Sequence, residues 1–135
     1  MKVLGLDVGT KTIGIAIGNT ETKFTQPLCT LARKSVKKDA VQIKIVSDKH
    51  KIDQIVVGLP LESEGSEGRS AHLARQIADE IHNITQLPVV MWDERYSTVE
   101  AEYRLREAGK NTMDIKKIID QVAAMVIIED WWKGV

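Results

Sequence analysis

Residues 3–17 read VLGLDVGTKTIGIAI, two apolar runs separated only by the short GTK segment at 9–11. So little chain between them leaves no room for a helical crossover, so residues 2–8 and 12–18 form an antiparallel hairpin. Along the second strand Ile13, Ile15 and Ile17 share one face, while Gly14, Ala16 and Gly18 share the other. The first face belongs in a core, and the second lets another element approach closely. Asp7 is a lone carboxylate within the first apolar run. Burying an unpaired carboxylate costs several kcal/mol, so Asp7 requires a partner.

Outward from the hairpin, TQPLCTL at 25–31 reads as a third strand, with Pro27 favouring an edge position. Ser35 is a helix N-cap, and Val36, Ala40, Ile43 and Val46 recur at helical spacing on a lysine-rich segment. QIVVGLPL at 54–61 is an apolar strand of the kind buried on both faces. ESEGSEGRS at 62–70 is a loop, and Ser70 opens a helix with the stripe Ala74, Ile77, Ala78, Ile81 and Ile84. That helix ends before Pro88, and VVMW at 89–92 is a further buried strand. Ser97 and Glu100 have the spacing of a capping box, and Gly109 stands at the C-cap. Residues 114–132 form the final helix, about 28 Å long. The order β-β-β-α-β-α-β-α-α predicts one α/β domain over residues 1–135. Its sheet is mixed and five-stranded, three antiparallel strands followed by two parallel ones, with helices on both faces.

The chain has 135 residues, 43% of them hydrophobic and 28% charged, enough for a core without metal or disulfide staples. Its single cysteine, Cys29, forms no internal disulfide and fits a reducing compartment, as a small buried strand residue. Asp7 comes too early for a signal-peptide apolar region, and the longest apolar run, 122–128, is too short to cross a bilayer. The expectation is a cytoplasmic protein without membrane contact. With 19 basic and 19 acidic residues there is no global field, so any polyanion site is a local patch.

Asp7, the pair Asp93 and Glu94 at the end of the last strand, and Asp120 inside the last helix each break an apolar pattern. A central strand and a parallel neighbour would bring Asp7 and Glu94 to adjacent strand ends, where open α/β sheets carry their sites. A long helix crossing that edge would add Asp120. Carboxylates converging without His or Cys suit a hard cation, Mg²⁺ or Mn²⁺. Strand alternation puts Asp93 and Glu94 on opposite faces and does not choose between them. Thr10, Lys11, Arg69 and Arg95 flank this edge as candidate phosphate contacts. His50, His72 and His82 lack ligand spacing, and Trp131 and Trp132 read as packing or a subunit contact.

GLDVGTKTIGIAI, VVGLPL with its acidic loop, DERYSTVEAE and IDQVAAMVIIEDW together resemble the successive motifs of the YqgF family, in order and across nearly the whole chain. That family comprises ribonuclease H-like proteins described as pre-16S rRNA processing nucleases and, through similarity to RuvC, as Holliday junction resolvases. The resemblance implies a ribonuclease H-like fold, a cytoplasmic location and an acidic metal-dependent site. By position it implies Asp7, Glu94 and Asp120 as catalytic metal ligands, and it favours Glu94 over Asp93. Thr12 stands where the family often has a basic residue, and the 62–70 loop lacks the usual amide-and-aspartate form.

The expected activity is metal-dependent phosphodiester hydrolysis in processing the 5′ end of pre-16S rRNA. The alternatives are Holliday junction resolution and a non-catalytic nucleic-acid-binding module. No base-reading motif separates precursor rRNA from a four-way DNA junction. Junction resolution favours a symmetric homodimer, whereas rRNA trimming needs only a monomer.

Overall fold

The computed structural model describes residues 1–62, 64–94 and 97–134. Its strands are β1 (Lys2–Val8), β2 (Thr12–Asn19), β3 (Phe24–Ala32), β4 (Gln54–Leu59) and β5 (Val89–Asp93). Its helices are α1 (Val36–His50), α2 (Arg69–Thr85), α3 (Ser97–Glu107) and α4 (Thr112–Lys133). The strands form one sheet in the order β3-β2-β1-β4-β5, antiparallel through β1–β2 and β2–β3 and parallel through β1–β4 and β4–β5. This is the mixed five-stranded sheet expected from the sequence, with the Pro27 strand at an edge and its register shifting at Ile15/Ala16.

Several boundaries move for local reasons. β4 ends at Leu59 because Pro60 has no N–H to continue the ladder. α2 starts at Arg69 after Gly68, one residue before Ser70. α4 starts at Thr112, where Asn111 caps it by accepting from the Asp114 amide at 2.9 Å. Ser97 does open α3, but its hydroxyl donates to the Glu94 carbonyl and carboxylate rather than serving a capping box. Gly109, at φ +80°, ends α3 as expected. Cys29 lies in β3 but is only partly buried.

Strand alternation divides the core. Leu4, Leu6, Val8, Ile13, Ile15, Ile55 and Val57 pack on one face against α1 and α2. On the other face Val3, Ala16 and Val56 meet Ala124, Ile127 and Ile128 of α4, with Trp131 and Trp132 packed around them. This second face is the one expected to admit a close approach, and α4 is what fills it. A Cβ on Gly5 would stand 2.7 Å from the Ala124 carbonyl oxygen, and one on Gly14 would run into the backbone of Asp120. Asp7 pairs with Gly14 across the hairpin, so the two residues project to the same side. Through that contact α4 delivers Asp120 beside Asp7.

Gly14→Ala should therefore destabilise the fold by about 2–3 kcal/mol, because backbone, not a flexible side-chain tip, blocks the added methyl. Urea unfolding measures this; an unchanged midpoint would contradict the close approach.

Candidate active site

β1, β4 and β5 are parallel, so their carboxyl ends share one edge of the sheet. Asp7 is the penultimate residue of β1 and is partly buried; Glu94 follows β5 directly and is buried. The expectation of adjacent strand ends requires correction, because β4 lies between β1 and β5. Gly58 in β4, paired with Trp92, removes the obstacle: a Cβ there would stand 2.7 Å from Glu94 Oε2. Glu94 thus reaches across a strand and hydrogen-bonds the Asp7 carboxyl.

This contact is possible because the pair holds a proton. Burial pushes Glu94 up to about 9, helped by the Asp7 charge and by its hydrogen bond to Asp7, while the Ser97 hydroxyl opposes the rise. Burial also raises Asp7, to about 6, with the Glu94 hydrogen bond pulling it down and the Asp120 charge pushing it up. Both carboxyls are thus held above their ordinary range, and the pair shares a proton. Asp120 is partly buried, and its Oδ2 accepts from Thr12 Oγ1 at 2.7 Å. Asp93 is exposed at the end of β5, and its charge adds to the upward push on Glu94.

Of the four acidic candidates, Asp7 and Glu94 are in contact, Asp120 lies near enough for its charge to act on Asp7, and Glu94 is buried where Asp93 is exposed. Among the described residues, no group of three His, Cys, Asp or Glu side chains is drawn together closely enough to hold a metal ion. The close pair is Asp7–Glu94, with Asp120 engaged by Thr12. Thr10 and Lys11 are exposed in the β1–β2 turn, and Arg69 is exposed at the start of α2 on the same edge of the sheet. Arg95 lies outside the described residues. Leu61 bridges Glu67, and Arg75 donates two hydrogen bonds to the Glu67 carboxylate at 2.7 and 2.6 Å.

Four supports were not apparent from the sequence as parts of the site: Gly58, Thr12 as the partner of Asp120, Ser97 as the partner of Glu94, and Arg33. The Arg33 Nε bonds Asp39 at 2.7 Å in a largely buried ion pair, and its Nη1 donates to the Gly9 carbonyl at 3.1 Å. Arg33 thereby braces the turn that follows Asp7. The Ser97 and Arg33–Asp39 bonds are local in sequence, whereas Thr12 and Asp120 are 108 residues apart.

A central antiparallel hairpin extended by parallel strands, with acidic residues at their shared edge, defines a ribonuclease H-like protein. The structure of *Thermus thermophilus* RuvC in complex with a Holliday junction substrate matches it with a TM-score of 0.61 at 12% identity, covering 99% of this chain and 94% of that one. At that identity the likeness speaks for the fold. The chain belongs to the RuvX family, described as Holliday junction resolvase, whose model matches residues 1–134. A *Myxococcus xanthus* protein named "Putative pre-16S rRNA nuclease" is 40% identical over 131 residues, covering 97% of this chain and 87% of the relative. A *Carboxydothermus hydrogenoformans* protein of the same name is also 40% identical, covering 97% and 95%. These relatives bear out the motif resemblance. Among the described residues no helix is long and apolar enough to cross a membrane.

The two raised carboxyls fix a pH dependence. Unfolded, Glu94 and Asp7 ionise near 4.5 and 3.8; folded, they hold protons up to about 9 and 6. The native state binds more protons across this window, so stability is complete below the unfolded values and is lost as pH rises toward about 9. In chelator, the melting temperature should fall between about pH 5 and about pH 8, and Glu94→Gln should flatten the fall. A flat wild-type profile would show that Glu94 is not protonated in the fold.

Proposed function

We propose that the protein is a metal-dependent nuclease that hydrolyses phosphodiester bonds in precursor 16S rRNA in the cytoplasm. The observation that carries this reading is the pairing of Asp7 with the buried Glu94 at the carboxyl edge of the parallel strands, with both carboxyls held above their ordinary range and the Asp120 charge beside them. Among the described residues no ion pair neutralises Asp7, Glu94 or Asp120. The site's donors are carboxylate oxygens, which fit Mg²⁺ or Mn²⁺ by type, and the shared proton stands where a cation's charge would relieve the same repulsion. Asp7, Glu94 and Asp120 would hold the ion or ions. When bound, the metal supplies an activated water and stabilises the leaving oxygen during in-line attack on phosphorus.

The chain's own groups do the positioning. Thr12 orients Asp120, Ser97 orients Glu94, and Arg33 braces the turn carrying Thr10 and Lys11. Arg69 and Arg95 complete the proposed phosphate contacts. One chain carries the whole carboxylate set, so a monomer suffices for trimming an rRNA end. The substrate assignment follows the names of the 40% identical relatives. The family description favours a second reading, resolution of four-way DNA junctions by a homodimer.

Asp7→Asn, Glu94→Gln and Asp120→Asn should each cut the cleavage rate by about a hundredfold or more, and any two together should cost little beyond one. Asp93→Asn should be milder. The assay offers precursor rRNA and a four-way DNA junction separately, with Mg²⁺, Mn²⁺ or EDTA. Equal cleavage by wild type and Asp7→Asn would refute the site, and wild type that binds but never cleaves would leave the non-catalytic module.

A further inference from the structure

We propose that the corner formed by the β1–β2 turn and the N-terminal end of α1 is the track along which the RNA backbone leaves the carboxylate site. This inference rests on the nuclease reading and assigns that site's substrate-binding surface. Thr12 pairs with Ala32, and the Arg33 amide donates to the Lys11 carbonyl at 2.9 Å, so the end of β3 lies against the turn that follows Asp7. α1 therefore begins at the same edge of the sheet as the site. The segment RKSVKKD at 33–39 holds four cations and one acid. The acid, Asp39, is buried and taken up by Arg33 and the Lys34 amide. Lys11, Lys34, Lys37 and Lys38 are left exposed, and among the described residues none of the four is in an ion pair.

Nothing within the fold accounts for this arrangement. Lys37 and Lys38 sit in the first turn of a helix, where the macrodipole disfavours cations and favours anions. The chain carries no net charge, so the patch is a local concentration rather than part of a general basic surface. A cavity of about 400 Å³ opens beside it, bordered by Lys34 and Lys38, by Asp39, whose carboxylate is taken up by Arg33 and the Lys34 amide, and by Leu31, Ala32 and Gln42 among others. Lysines at the sheet edge that carries the carboxylates, on the face covered by α1 and opposite α4, meet the requirement of a polyanionic strand that passes over that edge, whose backbone supplies a charge at every nucleotide. The opposite end of α1 provides a control, since Lys44, Lys49 and Lys51 lie toward the far edge of the sheet and Lys44 is paired with Asp48.

The test compares the triple variant K34Q/K37Q/K38Q with K44Q/K49Q/K51Q, which removes the same charge from the other end of the helix. Binding of a labelled precursor 16S rRNA fragment is titrated in EDTA at several salt concentrations, and melting temperatures confirm folding. The first variant should bind about tenfold more weakly, with the slope of log affinity against log salt shallower by about two, and should raise KM while leaving kcat unchanged. The second should match wild type. Equal weakening by both variants, or none by the first, overturns the track. Weakened junction binding with RNA binding unchanged overturns its assignment to RNA. Wild type that binds RNA through this corner yet does not cleave it with Mg²⁺, with Mn²⁺ or in their absence refutes the nuclease reading alone, and wild type that binds no RNA refutes both.

Discussion

The direct seating of α4 on the sheet, with no side chains between them at Gly5 and Gly14, is the constraint on which the site depends. Interiors are close-packed, so a helix drawn in by Ala124, Ile127 and Ile128 settles where the sheet surface is lowest. That position carries the backbone of Asp120 onto Gly14, directly across the hairpin from Asp7. The same device acts at Gly58, where the missing Cβ opens a path for Glu94 over β4. Three acidic side chains from three separated segments are thus gathered by what the glycines leave out.

Gathering like charges in a partly buried place opposes folding, and the molecule meets this opposition by several means. Asp7 and Glu94 share a proton, Ser97 and Thr12 donate hydroxyls to Glu94 and Asp120, and the rest of the core supplies the favourable burial. Carboxyls displaced this far from their ordinary ionisation mark functional sites more often than structural ones. A neighbouring buried pair, Arg33–Asp39, behaves differently because its charges are opposite. It holds the turn after Asp7 from below and in doing so withdraws the one acid from a lysine-rich corner. The two clusters are complementary, one cationic and one anionic at the same edge of the sheet. Under the proposed function a phosphodiester substrate would use such a pairing, one surface to attract its backbone and one site to hold a metal whose bound water would attack phosphorus.

The order of elements, the hairpin, the edge position of the Pro27 strand, the two faces of β2 and the acidic residues that break apolar patterns were all legible in the sequence. They follow from interactions between neighbours along the chain: alternation in strands, helical spacing, and the backbone demands of proline and glycine. Caps and element ends were less secure. Ser97 has the spacing of a capping residue, and what only the structure reveals is that its hydroxyl hydrogen goes to Glu94.

Tertiary structure alone decided how the carboxylates meet. Period-two alternation left Asp93 and Glu94 equivalent, and the choice fell to Glu94 only because β4 inserted between β1 and β5 and Gly58 left a gap of the right depth. Thr12 became the partner of Asp120 across 108 residues, and Arg33 became the brace of the Gly9 turn, through packing that no local pattern encodes. The sequence by itself determined which residues can ionise and how they alternate between the faces of each element, since side-chain chemistry and backbone geometry set these. Only the tertiary structure decided which of those charges touch, because that depends on strand order and on the distance between layers, and both are settled by packing across the whole chain.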